Sequence, residues 1–369
     1  FRPNTLTSAR RVRLPSGPFR VMSRLPVGCL LLAGSAAALR RHDERAASRA
    51  SEAACKPEKF GQEGRWVDTG ATLDWDDKRC GRLPELDVAH FCSEKLQCKD
   101  LLVVGDSTSF QFYRVMNESL NQRKQSSGNR VPPTMLLNMS HGWIPDALET
   151  GFNSFQTRPV KQSEFFMKCK EDPEKNTREQ VCQDSCPKPV TITYMRHDHL
   201  NGPEYSWSPK SACEWYPELD KHEWVVLSYG THVNDHTDLL YNKNGIWEKR
   251  AEDLFRMLKE KHPHGLIWRT AYYGLTDYSE EPCPNKALVK AAPLTREQIA
   301  DKFNDSWKKI AELNKLYKEK LQEAGLQAVV LDIENLFSMR PDCRKDYIHY
   351  GDIKQSVAAI YPRMMQYLM

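Results

Sequence analysis

Three residue types in this chain, a serine, a histidine and an aspartate, stand where acyl-transfer chemistry could use them. Ser107 lies in Leu101-Leu-Val-Val-Gly-Asp-Ser-Thr-Ser-Phe-Gln-Phe-Tyr113. The apolar, partly β-branched run predicts a buried strand, Gly105 permits a sharp turn, and helix-compatible spacing begins at Thr108. A hydroxyl at that junction is held clear of the strand ladder. The free N–H groups of a helix's first turn can face a developing oxyanion there. A plainer role is also open: Asp106 and Ser107 can simply cap a helix.

The second piece lies near the other end. Ala328-Val-Val-Leu-Asp-Ile333 is a further strand-like run, and Asp346-Tyr-Ile-His349 follows it, with a carboxylate three residues before a histidine. A serine after an early strand and an Asp/His pair after a late one can supply nucleophile, base and orienter in any chain order. His349 alone reads as an ordinary surface or packed histidine; the two pieces together favour Ser107, His349 and Asp346 as a catalytic set.

Other polar residues fall after strand-like runs. Gly230-Thr-His232 ends Trp224-Val-Val-Leu-Ser228, and Asn234 follows closely. His232 or Asn234, with the backbone N–H of Ser107 and that of Gly142 or Gly202, would make an oxyanion hole. His232 can equally serve as a bridge between loops. A rival chemistry comes from His197, His199, His232 and His236: in a strand His197 and His199 face one side, as two metal ligands do. Such a set would support a metal-dependent hydrolase, but its members have no recognised zinc spacing, so no metal is assigned. Aromatics at Trp143, Tyr205, Trp207, Trp215, Tyr216, Tyr272 and Tyr273 suit sugar faces or ordinary core packing.

These residues need a scaffold. Leu101–Val104, Thr134–Asn138, Val190–Met195, Trp224–Ser228, Gly265–Thr270 and Gln327–Ile333 are strand candidates. Helices are expected from Thr108 to about residue 122, from Asn244 to Lys261 and from about Thr295 to Ala324. Strands alternating with helices imply an α/β three-layer sandwich around a central parallel sheet, with ligands at the C-terminal strand ends. The cysteine- and lysine-rich stretch between Asn138 and Val190 reads as an insertion.

Composition sets the compartment. The 369 residues are 40% hydrophobic and 28% charged, ordinary for a globular protein. The formal charge of +4 is concentrated in the first 49 residues, which hold ten arginines against Asp43 and Glu44. The remainder is slightly acidic and offers nothing for nucleic acid. From Met22, the first methionine, a basic start, the apolar run Leu25–Leu39 and small residues near Ala36–Ala38 resemble a secretory signal peptide, with a single-pass Golgi-type membrane anchor as the alternative. Residues 1–39 are therefore expected to be a leader and 40–54 a charged stem. Residues 55–98 are expected to form a cysteine-rich cap that does not fold alone, and 99–369 a catalytic domain.

Beyond Cys29 in the apolar run there are ten cysteines: Cys55, Cys80, Cys92, Cys98, Cys169, Cys182, Cys186, Cys213, Cys283 and Cys343. An even set suits disulfides in an oxidising lumen. Cys182 and Cys186 could form half a zinc site, but no second close pair completes it. Sequons at Asn117, Asn138 and Asn304 are candidate glycosylation sites.

The order of several blocks is similar to that of the PC-esterase superfamily: Gly64-Arg-Trp-Val67, Val103-Val-Gly-Asp-Ser107, Ser228-x-Gly-x-His232, Trp268-Arg-Thr270, Asn314, and Arg340-Pro-Asp342 leading to Asp346-x-x-His349. The superfamily includes plant trichome birefringence-like polysaccharide O-acetyltransferases and fungal and animal relatives that acetylate capsule or sialic acid. The resemblance spans roughly residues 55–365. It implies an SGNH-like fold in the secretory pathway, in the Golgi or secreted, with Ser107, Asp346 and His349 at the triad positions. Two features depart from the plant pattern. Cys343 to Lys345 intervene before Asp346 and Tyr350 replaces a proline after the histidine, which makes Asp342 a competing orienter. Ser228 replaces an asparagine, and no tryptophan follows His232.

The resulting expectation is a carbohydrate O-acyltransferase or acylesterase handling acetyl groups. It would bind no cofactor and would draw on acetyl-CoA or another acetyl ester as acyl donor. Its partner would be a polysaccharide or other glycan. A glycan-binding protein without turnover is the noncatalytic alternative.

Overall fold

A computed structural model of the chain describes residues 60–69, 73–121, 176–198, 200, 215–233, 240–262, 264–272, 305–340, 349 and 357–369. They form a mixed α/β fold with a six-stranded, mostly parallel sheet. Its strands are β4 (Leu101–Gly105), β5 (Asn176–Val181), β6 (Val190–Arg196), β7 (Trp224–Ser228), β8 (Leu266–Arg269) and β9 (Ala328–Leu331). The spatial order is β5-β6-β4-β7-β8-β9, antiparallel between β5 and β6 and parallel elsewhere.

Five of these strands coincide with apolar runs in the sequence; β5 does not. Its residues, Asn-Thr-Arg-Glu-Gln-Val, alternate between half-buried and exposed until Val181. This is the pattern of an antiparallel edge with one wet face, which carries little hydrophobic signal. The stretch read as an insertion therefore contributes an edge strand, and the sheet is mixed rather than wholly parallel. The strand expected at 134–138 lies outside the described residues, as do the leader and stem.

Helices cover both faces, and the alternation of side chains along each strand shows how. Leu101 and Val103 of β4, Val226 of β7 and Ile267 of β8 join one apolar cluster. Helix α1 (Ser107–Leu120) and the C-terminal helix α5 (Tyr361–Leu368) supply Phe112, Val115, Met116, Met364 and Met365 to it. Leu102, Val104, Val225, Leu227, Leu266 and Trp268 join a second cluster on the other face. Helix α2 (Ile246–Lys261) adds Trp247, Ala251, Leu254, Phe255 and Leu258 there, and α3 (Asp305–Glu323) adds Ile310, Leu313, Tyr317 and Leu321. Those intervals are one helical stripe each.

A small antiparallel sheet precedes β4, formed by β1 (Gly64–Asp68), β2 (Leu73–Asp77) and β3 (Gly81–Arg82). Trp66 and Trp75 face each other in register, with their rings 5.6 Å apart edge to face. Both are buried in the cluster that contains α1 and α5. Arg363 of α5 reaches back to this sheet, donating to both carboxylate oxygens of Asp74 at 3.0 and 3.1 Å.

Two disulfides tie the approach to β4 to the turn between β5 and β6: Cys92–Cys182 and Cys98–Cys186. Both cysteines of the Cys-x-x-x-Cys pair are thereby committed to disulfides, which removes the half-zinc reading. Each bridge closes about ninety residues of chain and so limits the freedom of the unfolded state. Cys80 is disulfide-bonded as well. Such bonds indicate an oxidising, extracytoplasmic environment. Among the described residues no helix is long and apolar enough to cross a membrane.

Candidate active site

Ser107 is the first residue of α1, directly beyond the C-terminal end of β4. The junction is built for a tight reversal. Gly105 has φ +154°, and a Cβ there would lie 2.2 Å from Ser109 Oγ and 3.0 Å from the Ser228 carbonyl oxygen. Only glycine lets the helix begin so close to the strand. Asp106 caps the helix, its Oδ1 accepting from the N–H groups of Thr108 (2.8 Å) and Ser109 (3.3 Å) and from the Thr108 hydroxyl (2.6 Å). The capping role is therefore real, and it belongs to Asp106, while the Ser107 side chain is directed elsewhere.

Ser107 Oγ lies 2.7 Å from His349 Nε2, across 242 residues of sequence. With the imidazole protonated on Nδ1, the hydroxyl donates to Nε2, which is the arrangement a general base needs. Both orienter candidates, Asp346 and Asp342, lie outside the described residues. So do Gly142, Gly202 and Asn234, the histidines His199 and His236, and the sequons at Asn138 and Asn304. Asn117 sits half-buried on α1, its side-chain oxygen accepting from Asn121 at 3.1 Å.

The Asp106 carboxyl is fully buried. Burial alone would raise its pKa, but His232, Arg269 and the hydroxyls of Thr108 and Thr231 outweigh that and hold it below the ordinary value of 3.8. An ionised carboxylate thus sits next to the serine, balanced by two cationic or potentially cationic side chains. Tyr194 of β6 fixes the same turn from below, its hydroxyl within reach of the Gly105 (3.2 Å) and Asp106 (3.0 Å) carbonyl oxygens. Burial pushes the Tyr194 pKa well up, so the phenol remains a donor.

His232 follows β7 and faces two carboxylates. Its Nε2 is 3.9 Å from Asp198 Oδ2, and it also interacts with Asp106. Asp198 is in turn held by Arg196, at 3.0 Å from Nε and 3.3 Å from Nη2. His232 therefore lies among the ends of β6, β4 and β7, close to two carboxylates. His197 is buried beside this network, and its backbone N–H donates to the Gly105 carbonyl oxygen at 2.9 Å. Among the described residues no group of three or more histidine, cysteine or acidic side chains is placed to hold a metal ion.

Of the aromatic candidates, Trp215 and Tyr272 are core residues. Trp215 is fully buried and stacks on the half-buried Tyr216 at 4.4 Å, and Tyr272 stacks on Phe337 at 5.3 Å. Trp215 and Tyr272 are thus committed to core packing, while Tyr216 keeps part of its surface exposed. Trp143, Tyr205, Trp207 and Tyr273 lie outside the described residues.

Two buried side chains, Arg269 and Asn314, belong to blocks singled out in the sequence but given no role there, and both bind at the end of β8. Arg269, the last residue of β8, donates through Nη2 to Thr108 Oγ1 and Ser109 Oγ, both at 2.8 Å, and through Nη1 to the Tyr361 hydroxyl at 3.1 Å. Asn314 of α3 brackets Ala271: its Oδ1 accepts from the Ala271 N–H at 3.0 Å and its Nδ2 donates to the Ala271 carbonyl oxygen at 2.8 Å. The available signal was a charged residue closing the buried run Leu266-Ile-Trp-Arg269, and an asparagine within the apolar stripe of a helix.

No protein-family model matches the chain, and no curated protein matches it. Among solved structures it is similar to a peptidoglycan O-acetylesterase, with 15% sequence identity and a TM-score of 0.28. The match covers 48% of this chain and 44% of the other, so the chain spans less than half the length of that relative.

Proposed function

We propose that this chain is a carbohydrate O-acyltransferase or acylesterase of the SGNH type, handling acetyl groups through a covalent acyl-serine. The observation that supports this most directly is the 2.7 Å contact between Ser107 Oγ and His349 Nε2 at the start of α1. In this reading His349, oriented by Asp346 or Asp342, takes the Ser107 proton as Oγ attacks an ester carbonyl. The first-turn N–H of α1, with donors drawn from His232, Asn234, Gly142 and Gly202, stabilises the tetrahedral oxyanion. His349 then returns the proton to the leaving group, and an acyl-serine remains. A sugar hydroxyl completes transfer and water completes hydrolysis. The acyl donor is acetyl-CoA or another acetyl ester, and the acceptor a glycan in the Golgi lumen or outside the cell.

The test is the intact mass of the purified protein after exposure to a fluorophosphonate, beside Ser107→Ala, together with acetate release from an acetylated glycan. One adduct per chain is expected, absent from Ser107→Ala, whose turnover falls by about 10³-fold or more with an unchanged fold. Turnover retained in Ser107→Ala, but lost to a chelator, would overturn the scheme in favour of metal chemistry. Glycan binding with neither adduct nor acetate release would point to a protein without turnover.

A further inference from the structure

Thr108 and Ser109 turn their hydroxyls inward, onto a guanidinium that packing alone does not call for. Arg269 is fully buried at the end of a strand whose other residues are Leu266, Ile267 and Trp268. Burying an arginine costs several kcal/mol unless its hydrogen bonds and charge are met, and an apolar side chain would fill the space without that cost. The partners it has are informative. One nitrogen, Nη2, grips two consecutive residues of the turn that carries Ser107. The other, Nη1, holds the hydroxyl of Tyr361, and the guanidinium lies 5.9 Å from the centre of that ring. Tyr361 opens α5, the helix that follows His349 in the chain. A single side chain from β8 therefore joins the nucleophile's turn to the segment beyond the base.

The fit around Ser109 is close. Its Oγ sits against the Cα of Gly105, where a Cβ would be 2.2 Å away, and that Oγ is an Arg269 acceptor. Movement of the guanidinium is thereby transmitted to the first turn of α1. Arg269 also faces the Asp106 carboxylate, whose negative charge beside Ser107 would otherwise oppose an oxyanion forming there.

We infer that Arg269 is a positioning residue for the Ser107–His349 pair, holding the first turn of α1 against Tyr361 and offsetting the charge of Asp106. This rests on the serine chemistry proposed above. The arginine touches neither reacting atom and acts through Thr108, Ser109, Tyr361 and Asp106.

The experiment is the rate constant for fluorophosphonate labelling of the full chain, measured per reactive site, with labelling stoichiometry from intact mass. Arg269→Lys keeps the charge and loses the fork. It is expected to reach full stoichiometry about 10²-fold more slowly, as a displacement near 1 Å can cause. Ser109→Ala and Tyr361→Phe each remove one anchor and should slow labelling by about threefold to tenfold, the size of one hydrogen bond. Adding Ser109→Ala to Arg269→Lys should bring no further loss, because both act on one contact. A merely structural arginine would lower melting temperature or stoichiometry and leave the rate per reactive site at the wild-type value; that result overturns the assignment, as do additive losses in the double variant. If Arg269→Lys does not fold, wild-type rates in both Ser109→Ala and Tyr361→Phe overturn it. Wild-type protein that labels nowhere removes the serine chemistry itself, and this assignment with it. Wild-type labelling at Ser107 with unaltered variants removes only the role of Arg269.

Discussion

Arg269 and Thr270 are consecutive at the end of β8, yet each anchors a different clamp. Thr270 works mostly on main chain: its hydroxyl accepts from the N–H groups of Ile333 (2.9 Å) and Glu334 (3.2 Å) where β9 gives way to α4 (Glu334–Ser338), and it lies 3.2 Å from Asp332 Oδ1. Asn314 completes that clamp, pairing both backbone groups of Ala271 and donating to the buried Glu334 carboxylate at 2.9 Å. Here side chains satisfy polar groups that the strands leave behind, as any buried strand end requires. The Arg269 clamp instead joins side chains to side chains around an ionised Asp106, immediately beside Ser107. One clamp ties strand ends together; the other, in the role proposed for Arg269, holds Ser107 in place. Substitutions should therefore separate stability from labelling rate differently in the two regions.

The largest effect is expected at Gly105, where the two demands coincide. Gly105→Ala places a methyl group 2.2 Å from Ser109 Oγ at a φ of +154°. Strain and overlap together should cost about 3 kcal/mol or more. Denaturant unfolding should show the loss, and fluorophosphonate labelling of the fraction that folds should slow as well. A variant that unfolds early yet labels at the wild-type rate would mean that the turn and the Ser107 hydroxyl are not mechanically joined.

Asn314→Ala should give the opposite separation. It strips three hydrogen bonds from buried partners, one of them the Glu334 carboxylate, for a loss of about 2–3 kcal/mol. Labelling of Ser107 in the folded protein should remain within about twofold of wild type, since α3 packs on the sheet face away from α1. A rate loss as large as the one expected for Arg269→Lys would erase the distinction between the clamps.

Much of this architecture is legible in the sequence, for one physical reason. Central strands of a parallel sheet are apolar on both faces, so β4, β7 and β8 appear as unbroken runs, and α2 shows its stripe at helical spacing. The polar edge strand β5 has no such signature. Ser107 and His349 stand out because each follows an apolar run and carries a chemically distinctive side chain, although nothing in their spacing gives the 2.7 Å that separates them. Arg269 is different in kind. A buried guanidinium crossing beneath a neighbouring strand to two hydroxyls has no periodicity, and its partners lie 160 and 161 residues away. The cysteines follow the same rule: their number suggests disulfides, but the pairing of Cys92 with Cys182 depends on how β5 and β6 lie against the chain before β4.

The smallest effect expected is the most specific to the charged clamp. Asp106→Asn keeps an N-cap acceptor of nearly equal quality but removes the charge facing Arg269, for a loss of about 1 kcal/mol at neutral pH. Its signature is the pH dependence. The Asp106 carboxyl titrates below its ordinary value of 3.8 in the folded protein, so its contribution is complete above that value and is lost as pH falls through the depressed folded pKa. The stability difference between wild type and Asp106→Asn should thus shrink as pH falls below about 4, while other carboxylates largely cancel between the two proteins. Denaturant unfolding across that range measures it directly. A difference that does not change with pH would mean that Asp106 carries no net charge interaction with Arg269 and His232, and the two clamps would then differ in position alone.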